Sequence, residues 1–300
     1  MNSHSTLNEL TTEKSENKPT TMNWGRFQWN GDQYKNHSTP QEMRAHQAIQ
    51  NMGSLEKGIN VLDIGCGDGK ITKFLAKQVF PGRVLAIDSS ESMAKKCYQG
   101  HSNVINFDII QADAVYFKLT DRFDLITSFF CIQWINAPSL PTALENIYNH
   151  LKEDGKMCVL LPCYDFPHEV IKGVAFSEKW KKYFEGFKER QTFFDDRYYK
   201  DILGKIGFDN VETNMIESHH VMSDNEFINY TRQWCGCYNW LKDTELQSNF
   251  INDILKKLQE EQHSEEKFDM IQRSLQIIGN KSTLHLYNDA YNADKRTHVM

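Results

Sequence analysis

The feature that most constrains this chain is a glycine-rich stretch at residues 61–72, VLDIGCGDGKIT. Four residues typical of a buried strand lead into three alternating glycines, and a helical pattern follows. Glycine turns readily at positive φ, and it has no Cβ that would keep a ligand away from the backbone. A strand, a glycine-rich turn and a helix in this order predict a nucleotide-like ligand at the carboxyl end of the first strand of a doubly wound sheet.

An acid, Asp63, stands two residues before the first glycine and changes the expected ligand. The dinucleotide-binding fingerprint is G-x-G-x-x-G, whereas this chain has D-x-G-x-G-x-G. A carboxylate here suits a cationic ligand better than a pyrophosphate. The motif resembles motif I of the class I S-adenosylmethionine (SAM) methyltransferases, and that resemblance implies SAM as the cofactor. We expect Asp63 to organise the loop and the amino end of SAM, with Gly65, Cys66, Gly67 and Gly69 along the ligand.

Strands and helices alternate along residues 59–161, with short turns from each strand to the next helix. This pattern predicts a parallel sheet with helices on its faces. The predicted strands are residues 59–64, 83–87, 105–112, 123–129, 157–161, 211–221 and 283–290. We therefore predict an α/β fold with a doubly wound, seven-stranded, mostly parallel sheet, like that of the class I methyltransferases.

The alternation breaks after Pro162, and aromatic residues become frequent. We predict an aromatic helix at 176–190, a helix at 198–206 that Gly207 ends, and mostly helical structure at 223–278. The segments 164–200 and 223–280 are too long for simple connections, so we interpret them as a helical lid over the carboxyl edge of the sheet. The other divisions are a disordered tail at 1–22, a SAM-binding core with a cap helix at 23–163, a core helix and strand six at 201–222, and the last strand with the C-terminus at 281–300.

Composition limits the class of protein. The 300 residues carry a formal net charge of −6 without a long basic run, which disfavours a dominant nucleic-acid surface. No apolar run approaches the ~20 residues of a membrane span, and the N-terminus lacks the apolar segment of a signal peptide. The seven cysteines are widely spaced, as expected for free thiols in a reducing cytoplasm. We predict no metal site, because Cys235 and Cys237 have no second pair nearby, and His219 and His220 fall on opposite faces of a predicted strand.

Two further acids stand at the ends of the second and third predicted strands. Asp88 occupies the position where an acid accepts hydrogen bonds from ribose hydroxyls, and Ser89 follows it. The alternative is that Asp88 only caps the next helix. Asp113 is expected to accept from the adenine amino group, with Ala114 as a backbone donor, and its alternative is an ordinary turn acid. Met93 either packs on the adenine face or belongs to the core. The order and spacing of these anchors after the glycine turn indicate SAM.

The chain resembles one branch of this family, which methylates small carboxylates: the trans-aconitate, malonyl-carrier-protein and juvenile hormone acid methyltransferases. The first shared feature is Y-x-x-x-S-x-x-Q at 34–41, which resembles the opening of the juvenile hormone enzymes and implies that Tyr34 contacts the cofactor. The second is Gln133-Trp134 after strand four, and the third is WLKD at 240–243. The resemblance is good over residues 31–215, loose from 216 on, and does not cover residues 1–22.

Methyl transfer to a carboxylate sets simple requirements on a site. The reaction is an in-line displacement, in which positioning and desolvation supply much of the barrier reduction. A carboxylate is ionised at neutral pH, so it needs hydrogen-bond donors and no general base. The resemblance implies that the Gln41 amide and the Trp134 indole hold it. The alternatives are a solvent-facing Gln41 and a Trp134 that packs in the core. Cys131 and Ile132 precede Trp134 and are candidates to line the cleft.

The predicted function is therefore SAM-dependent methylation of a small or acyl carboxylic acid, free or carrier-bound, in the cytoplasm. The alternatives are N- or C-methylation of a small molecule, and an idle domain that only binds SAM. Arg190, Arg197 and Arg232 lie in the proposed lid, where one of them is a candidate to grip a second carboxylate of a polyacid. The alternative is that all three arginines are exposed to solvent, as most arginines in proteins are.

Overall fold

The computed structural model describes residues 39–164, 166–262 and 267–281. These residues build an α/β fold around one seven-stranded sheet. The predicted tail at 1–22, the cofactor contact assigned to Tyr34 and the predicted strand at 283–290 lie outside the described residues.

The sheet has the predicted doubly wound form. Its strands are β1 (Val61–Ile64), β2 (Val84–Asp88), β3 (Phe107–Gln111), β4 (Phe123–Phe129), β5 (Leu151–Pro162), β6 (Phe208–Ser223) and β7 (Lys267–Lys281). Their order across the sheet is β3-β2-β1-β4-β5-β7-β6. The first five strands pair in parallel, whereas β7 runs antiparallel to both β5 and β6. This confirms the predicted fold class. Successive strands are added to one side of β1 up to β3 and to its other side from β4 onward, so the strand order reverses between β1 and β4. Ligands of such folds bind at the carboxyl ends of the strands beside that reversal.

Helices cover both faces of the sheet in the described part of the chain. The described helices are α1 (Thr39–Asn51), α2 (Lys70–Val79), α3 (Glu91–His101), α4 (Leu140–His150), α5 (Phe166–Ala175), α6 (Asp196–Ile206), α7 (Asp224–Trp234), α8 (Gly236–Trp240) and α9 (Thr244–Gln262). Asp195 caps the start of α6, and Gly207 ends that helix at φ 116°, as predicted. Among the helices described, none combines the length and the apolar composition needed to cross a membrane.

Apolar residues of the sheet alternate between its two faces and build a core on each. On one face, Leu62 and Ile64 of β1 pack with α4 and α6. On the other face, Val61 packs with α1 and α2. All four residues of β1 are buried. The carboxyl end of β1, where the glycine-rich turn begins, is therefore fixed from both sides.

The last described strand differs from the sequence prediction. Residues 267–278, which the pattern assigns to the helical segment 223–280, belong to strand β7, so that part of the prediction is wrong. One face of β7 carries three polar side chains, Gln272, Ser274 and Gln276, with exposures of 5%, 0% and 0%. In the sequence these three polar residues resemble a solvent-exposed face. The apolar side chains that would identify the buried face of a strand are therefore missing from the pattern.

The predicted aromatic helix at 176–190 is also wrong, because α5 stops before this segment and only a short 3-10 turn, Lys181–Tyr183, follows. Trp180 and Phe184 turn inward against Phe250 of α9, with ring centroids 5.0 and 5.1 Å from it. Trp180 Nε1 also donates to Asp253 Oδ2 at 2.6 Å. Contacts with α9 thus override the helical spacing of the aromatic residues.

Helices α5, α7, α8 and α9 share an apolar cluster of their own, which we call the lid cluster. Phe227 and Phe250 are its fully buried aromatic side chains. The cluster reaches the sheet through Met222 in β6 and Met270 in β7, and Trp134, just after β4, packs against it. The segments predicted to form the lid therefore adjoin the carboxyl end of β4.

Candidate active site

All three glycines after β1 adopt positive φ: 74° at Gly65, 57° at Gly67 and 83° at Gly69. This conformation is costly for residues that carry a Cβ. Two of the glycines also make room for the protein itself. A Cβ at Gly65 would lie 2.2 Å from Cys131 Sγ, and one at Gly69 would lie 2.4 Å from Cys97 Sγ. Positive φ and ligand approach were the predicted reasons for these glycines, and close packing against Cys131 and Cys97 is a further reason at Gly65 and Gly69.

Asp63 ties the end of β1 to its neighbours. Its side chain is 2% exposed. Thr72 Oγ1 of α2 donates to Oδ2 at 2.6 Å, and Thr127 Oγ1 of β4 donates to Oδ1 at 2.8 Å. Burial raises the pKa of Asp63 to about 6, although the two threonine hydroxyls act in the opposite direction. Asp63 therefore joins β1 to α2 and to β4, while its roles in organising the loop and in binding the cofactor stay predictions.

The raised pKa of Asp63 predicts a pH-dependent effect of Asp63→Asn on stability. The folded protein holds this proton up to about pH 6, whereas the unfolded chain releases it near pH 3.8. Between these values the folded state binds more protons, so its free energy of unfolding falls as pH rises. Asparagine does not ionise, so the variant should gain stability relative to wild type as pH rises from 4 to 6, by about 3 kcal/mol at most.

Urea unfolding at several pH values, without cofactor, measures this difference. Asp121→Asn, which makes the same substitution at an exposed aspartate, is the matched control. A difference between Asp63→Asn and wild type that does not change from pH 4 to pH 7 would contradict the prediction.

Asp88 joins two loops at the carboxyl edge of the sheet. Its Oδ2 accepts the backbone N–H of Gly67 at 2.9 Å, and its Oδ1 accepts the N–H of Ser90 at 2.8 Å. Burial raises the pKa of this carboxyl group. The residue that caps α3 is Ser90, whose hydroxyl accepts the N–H of Met93, so the helix-cap alternative for Asp88 is wrong. Each carboxylate oxygen keeps a second acceptor site for a ribose hydroxyl.

The third anchor, Asp113, lies just beyond β3 with an exposed side chain. Its Oδ1 accepts the backbone N–H of Val115 at 2.8 Å, which is the ordinary bond of a turn acid. Met93 and Ala114 are 3% and 8% exposed, so core packing accounts for both side chains, whereas Ser89 is exposed. The adenine contacts of these residues stay a prediction.

A pocket beside the glycine turn is rich in carboxylates. Its wall includes Glu42, Asp63 and Asp68, and Lys70 Nζ lies 3.8 Å from Glu42 and 3.6 Å from Asp68. Gln41, on the first turn of α1, is half-buried in the same wall, and its Oε1 has no hydrogen-bond partner among the described residues. Carboxylates and an amide oxygen suit a ligand with an ammonium group and a sulfonium. The residues present therefore fit SAM.

Gln133 and Trp134 lie in a 3-10 turn, Ile132–Trp134, directly after β4. Thr192 fixes its main chain, because the N–H and the hydroxyl of Thr192 both donate to Gln133 O, at 2.8 and 3.0 Å. Trp134 is half-buried against the lid cluster, so packing accounts for part of its environment. The turn brings Trp134 to the junction of the sheet with the predicted lid. Ile132 is fully buried in the core and does not line the cleft.

The sequence analysis uses Gln133 only as part of a motif. Its side chain is 3% exposed, and its Oε1 has no hydrogen-bond partner within the described ranges. A buried polar atom without a partner costs free energy. Gln133 is therefore a candidate to accept a hydrogen bond from a ligand, and only its neighbour Trp134 marks it in the sequence.

A family model described as a methyltransferase domain matches residues 61–155. A demethylmenaquinone methyltransferase from Lactobacillus johnsonii is 30% identical over 209 residues, which cover 68% of this chain and 72% of that protein. The juvenile hormone acid O-methyltransferase of Bombyx mori is 24% identical over 272 residues, which cover 86% of this chain and 96% of that protein. A solved structure of phosphoethanolamine N-methyltransferase 2 from Haemonchus contortus superposes with a TM-score of 0.53 at 18% identity, covering 80% of this chain and 53% of the other.

These similarities agree with the geometry of the site. The solved structure establishes the fold, and the Bombyx mori relative lies in the branch that the sequence resembles. The matched region begins with β1 and contains the glycine turn, Asp88 and Asp113. This chain belongs to the class I SAM-dependent methyltransferases, which confirms the predicted family and cofactor.

Proposed function

We propose that this protein transfers the methyl group of SAM to the carboxylate of a small or acyl carboxylic acid and so forms a methyl ester. The proposal is supported by two side chains that can donate hydrogen bonds, on separate elements near the carboxyl edge of the sheet. Gln41 lies in the wall of the pocket beside the glycine turn, and Trp134 lies where β4 meets the lid cluster. The Bombyx mori relative, which is named for methylation of an acid, supports the same assignment.

SAM, when bound, supplies a methyl group on a positively charged leaving group. The protein then has to bind SAM and the acceptor, orient them for the transfer and exclude water. We assign the ribose of SAM to Asp88 and its amino end to the carboxylate-rich pocket that includes Asp63. The Gln41 amide and the Trp134 indole would donate to one carboxylate oxygen of the acceptor and leave the other free to attack. No proton has to be removed, because the acceptor is already ionised. Water exclusion by the lid would strengthen these contacts.

The alternative acceptor is a nitrogen or carbon atom of a neutral small molecule. The Lactobacillus johnsonii relative favours it, because that protein is named for a quinone and its identity to this chain is 30%. An uncharged amine would not need the paired donors. A carbon acceptor would require a base near Gln133, whose own amide cannot serve as one.

A screen with SAM labelled in its methyl group distinguishes these acceptors. The full-length protein is incubated with panels of carboxylic acids, amines, thiols and quinones, and the Asp88→Ala variant provides the background. We expect label on carboxylic acids that mild base releases, because methyl esters hydrolyse. Base-stable label confined to amines or quinones would contradict the proposed function.

Trp134→Phe is expected to lower kcat/KM for the best acid about 10- to 100-fold, because a hydrogen bond to a charged acceptor is lost while the aromatic volume is kept. The Kd of SAM should stay within threefold of wild type. Trp240→Phe is the matched control, since Trp240 Nε1 donates to Tyr183 O at 2.9 Å on the exposed side of the lid. Unchanged turnover in Trp134→Phe would refute the role of this indole.

A further inference from the structure

Arg44 of α1 is a buried cation whose partners among the described residues are all neutral. It is 2% exposed. Its Nε donates to Pro40 O at 3.1 Å, its Nη1 donates to Ser274 Oγ at 2.7 Å, and its Cζ lies 4.8 Å from the centre of the Phe130 ring. In the described part of the chain, no carboxylate lies within salt-bridge distance of Arg44 and no acceptor faces its Nη2. Buried arginines are almost always paired, because an isolated charge is costly to desolvate.

The guanidinium of Arg44 lies at the carboxyl edge of the sheet. Ser274, its partner in β7, stands opposite Pro162, the last residue of β5. Phe130, beneath the guanidinium, lines the pocket beside the glycine turn, and Gln41 precedes Arg44 by three residues on the same face of α1. Arg44 therefore connects the wall of the cofactor pocket to the β5–β7 side of the cleft.

The neighbouring part of β7 leads toward the lid. Gln272 lies on the same face of β7 as Ser274 and donates to Tyr230 Oη of α7 at 2.6 Å. Gln272 is 5% exposed, and its Oε1 has no partner in the described part of the chain. Arg190, Arg197 and Arg232, which the sequence analysis considers for binding an acid, are all exposed. In the described ranges, the buried arginine is thus on α1, next to residues that line the pocket, and not in the predicted lid.

We infer that Arg44 is the fixed cation that binds the carboxylate of the methyl acceptor. This inference rests on the proposed function and deepens it, because it adds a charge partner to the Gln41 and Trp134 donors. With Nε and one Nη1 proton directed at Pro40 O and Ser274 Oγ, the Nη2 N–H groups remain to donate to a carboxylate oxygen. An ionised acid would neutralise a charge for which the described residues provide no counter-ion, whereas a neutral amide or ester would not. Arg44 would thus bind the acid and discriminate against uncharged analogues.

SAM carries a carboxylate of its own, so the test has to show whether Arg44 binds the carboxylate of the acceptor or that of SAM. The variants are Arg44→Gln and Arg44→Lys, and the measurements are the KM of the best acid from the labelling screen and the Kd of SAM. We expect Arg44→Gln to raise the KM of the acid about 30-fold or more, since one partner of a buried charge pair is lost. Arg44→Lys should recover part of that loss. The Kd of SAM should stay within threefold in both variants, and exposed Arg197→Gln should leave both quantities unchanged.

Three results would overturn the inference. A tenfold higher Kd of SAM with an unchanged KM of the acid would show that Arg44 binds the carboxylate of the cofactor. Acid turnover with unchanged KM and Kd would make Arg44 purely structural and leave the proposed function intact. Label on amines or quinones alone would refute the proposed function and the inference with it.

If the Arg44 variants do not fold, Ser274→Ala is used instead, because it removes the acceptor that orients the guanidinium. A severalfold higher KM for the acid then supports the inference, and an unchanged KM refutes it.

Discussion

Asp88→Ala should raise the Kd of SAM about 100-fold or more, because two charge-assisted hydrogen bonds to the ribose are lost. The structure adds a second reason. Asp88 accepts the N–H of Gly67 and the N–H of Ser90, so its carboxylate also fixes the glycine turn against the loop after β2. Removal of the side chain leaves both N–H groups without this acceptor and loosens the turn. Isothermal titration with SAM measures the loss.

Two controls separate the ribose contact from the support of the turn. Ser90→Ala removes the cap of α3 and keeps Asp88. It should cost about 1 kcal/mol of stability while the Kd of SAM changes less than threefold. The second control compares S-adenosylhomocysteine with its 2′-deoxyribose analogue. Wild type should prefer the ribose form, and Asp88→Ala should lose that preference. A variant that binds SAM as tightly as wild type, or that keeps the preference, would show that the ribose assignment is wrong.

The parts of the fold that the sequence predicts correctly are those with local signals. Strands β1 to β5 contain apolar runs, and a helical segment follows each of them except β3. The glycine turn marks which strand comes first. Strand β7 lacks such a signal, because its buried face is polar. Arg44 and Ala48 of α1 and Tyr230 of α7 satisfy that face through Ser274, Gln276 and Gln272, respectively. None of these partners is near β7 in sequence, so no local pattern reveals that the polar residues are buried.

The site divides in the same way. The positions of Asp63 and Asp88 were predictable, because each lies at the carboxyl end of a recognisable strand at a fixed distance from the glycine turn. Their partners were less so: Thr127 reaches Asp63 from β4, and its role depends on the pairing of β1 with β4. Arg44 has no motif that marks it, since an arginine on an amphipathic helix ordinarily faces solvent. The role that we propose for it follows from its burial without a counter-ion among the described residues, which is a property of the assembled fold.

Gly65→Ala should destabilise the protein by about 3 kcal/mol, even without cofactor. A positive φ costs a residue with a Cβ about 1–2 kcal/mol, and Gly65 has φ 74°. The clash adds a similar amount, because overpacking in a well-packed region costs about 1–3 kcal/mol. The new Cβ would lie 2.2 Å from Cys131 Sγ and 2.3 Å from Cys131 Cβ. Urea denaturation of the apoprotein measures this loss separately from any loss of SAM affinity.

A double-mutant cycle with Cys131→Gly distinguishes the clash from the backbone strain. Cys131→Gly alone should destabilise the protein, since it removes a packed side chain. In the Gly65→Ala background the same change also relieves the clash, so the two effects should be less than additive by about 1–3 kcal/mol. Strictly additive effects would mean that only the φ requirement selects glycine here. Coupling would instead show that this glycine serves the contact between β1 and the end of β4 before any ligand arrives. The first glycine of the D-x-G-x-G-x-G motif would then be required for two reasons. It allows the turn that admits SAM, and it leaves room for the thiol of Cys131, just after β4, where a side chain at residue 65 would lie.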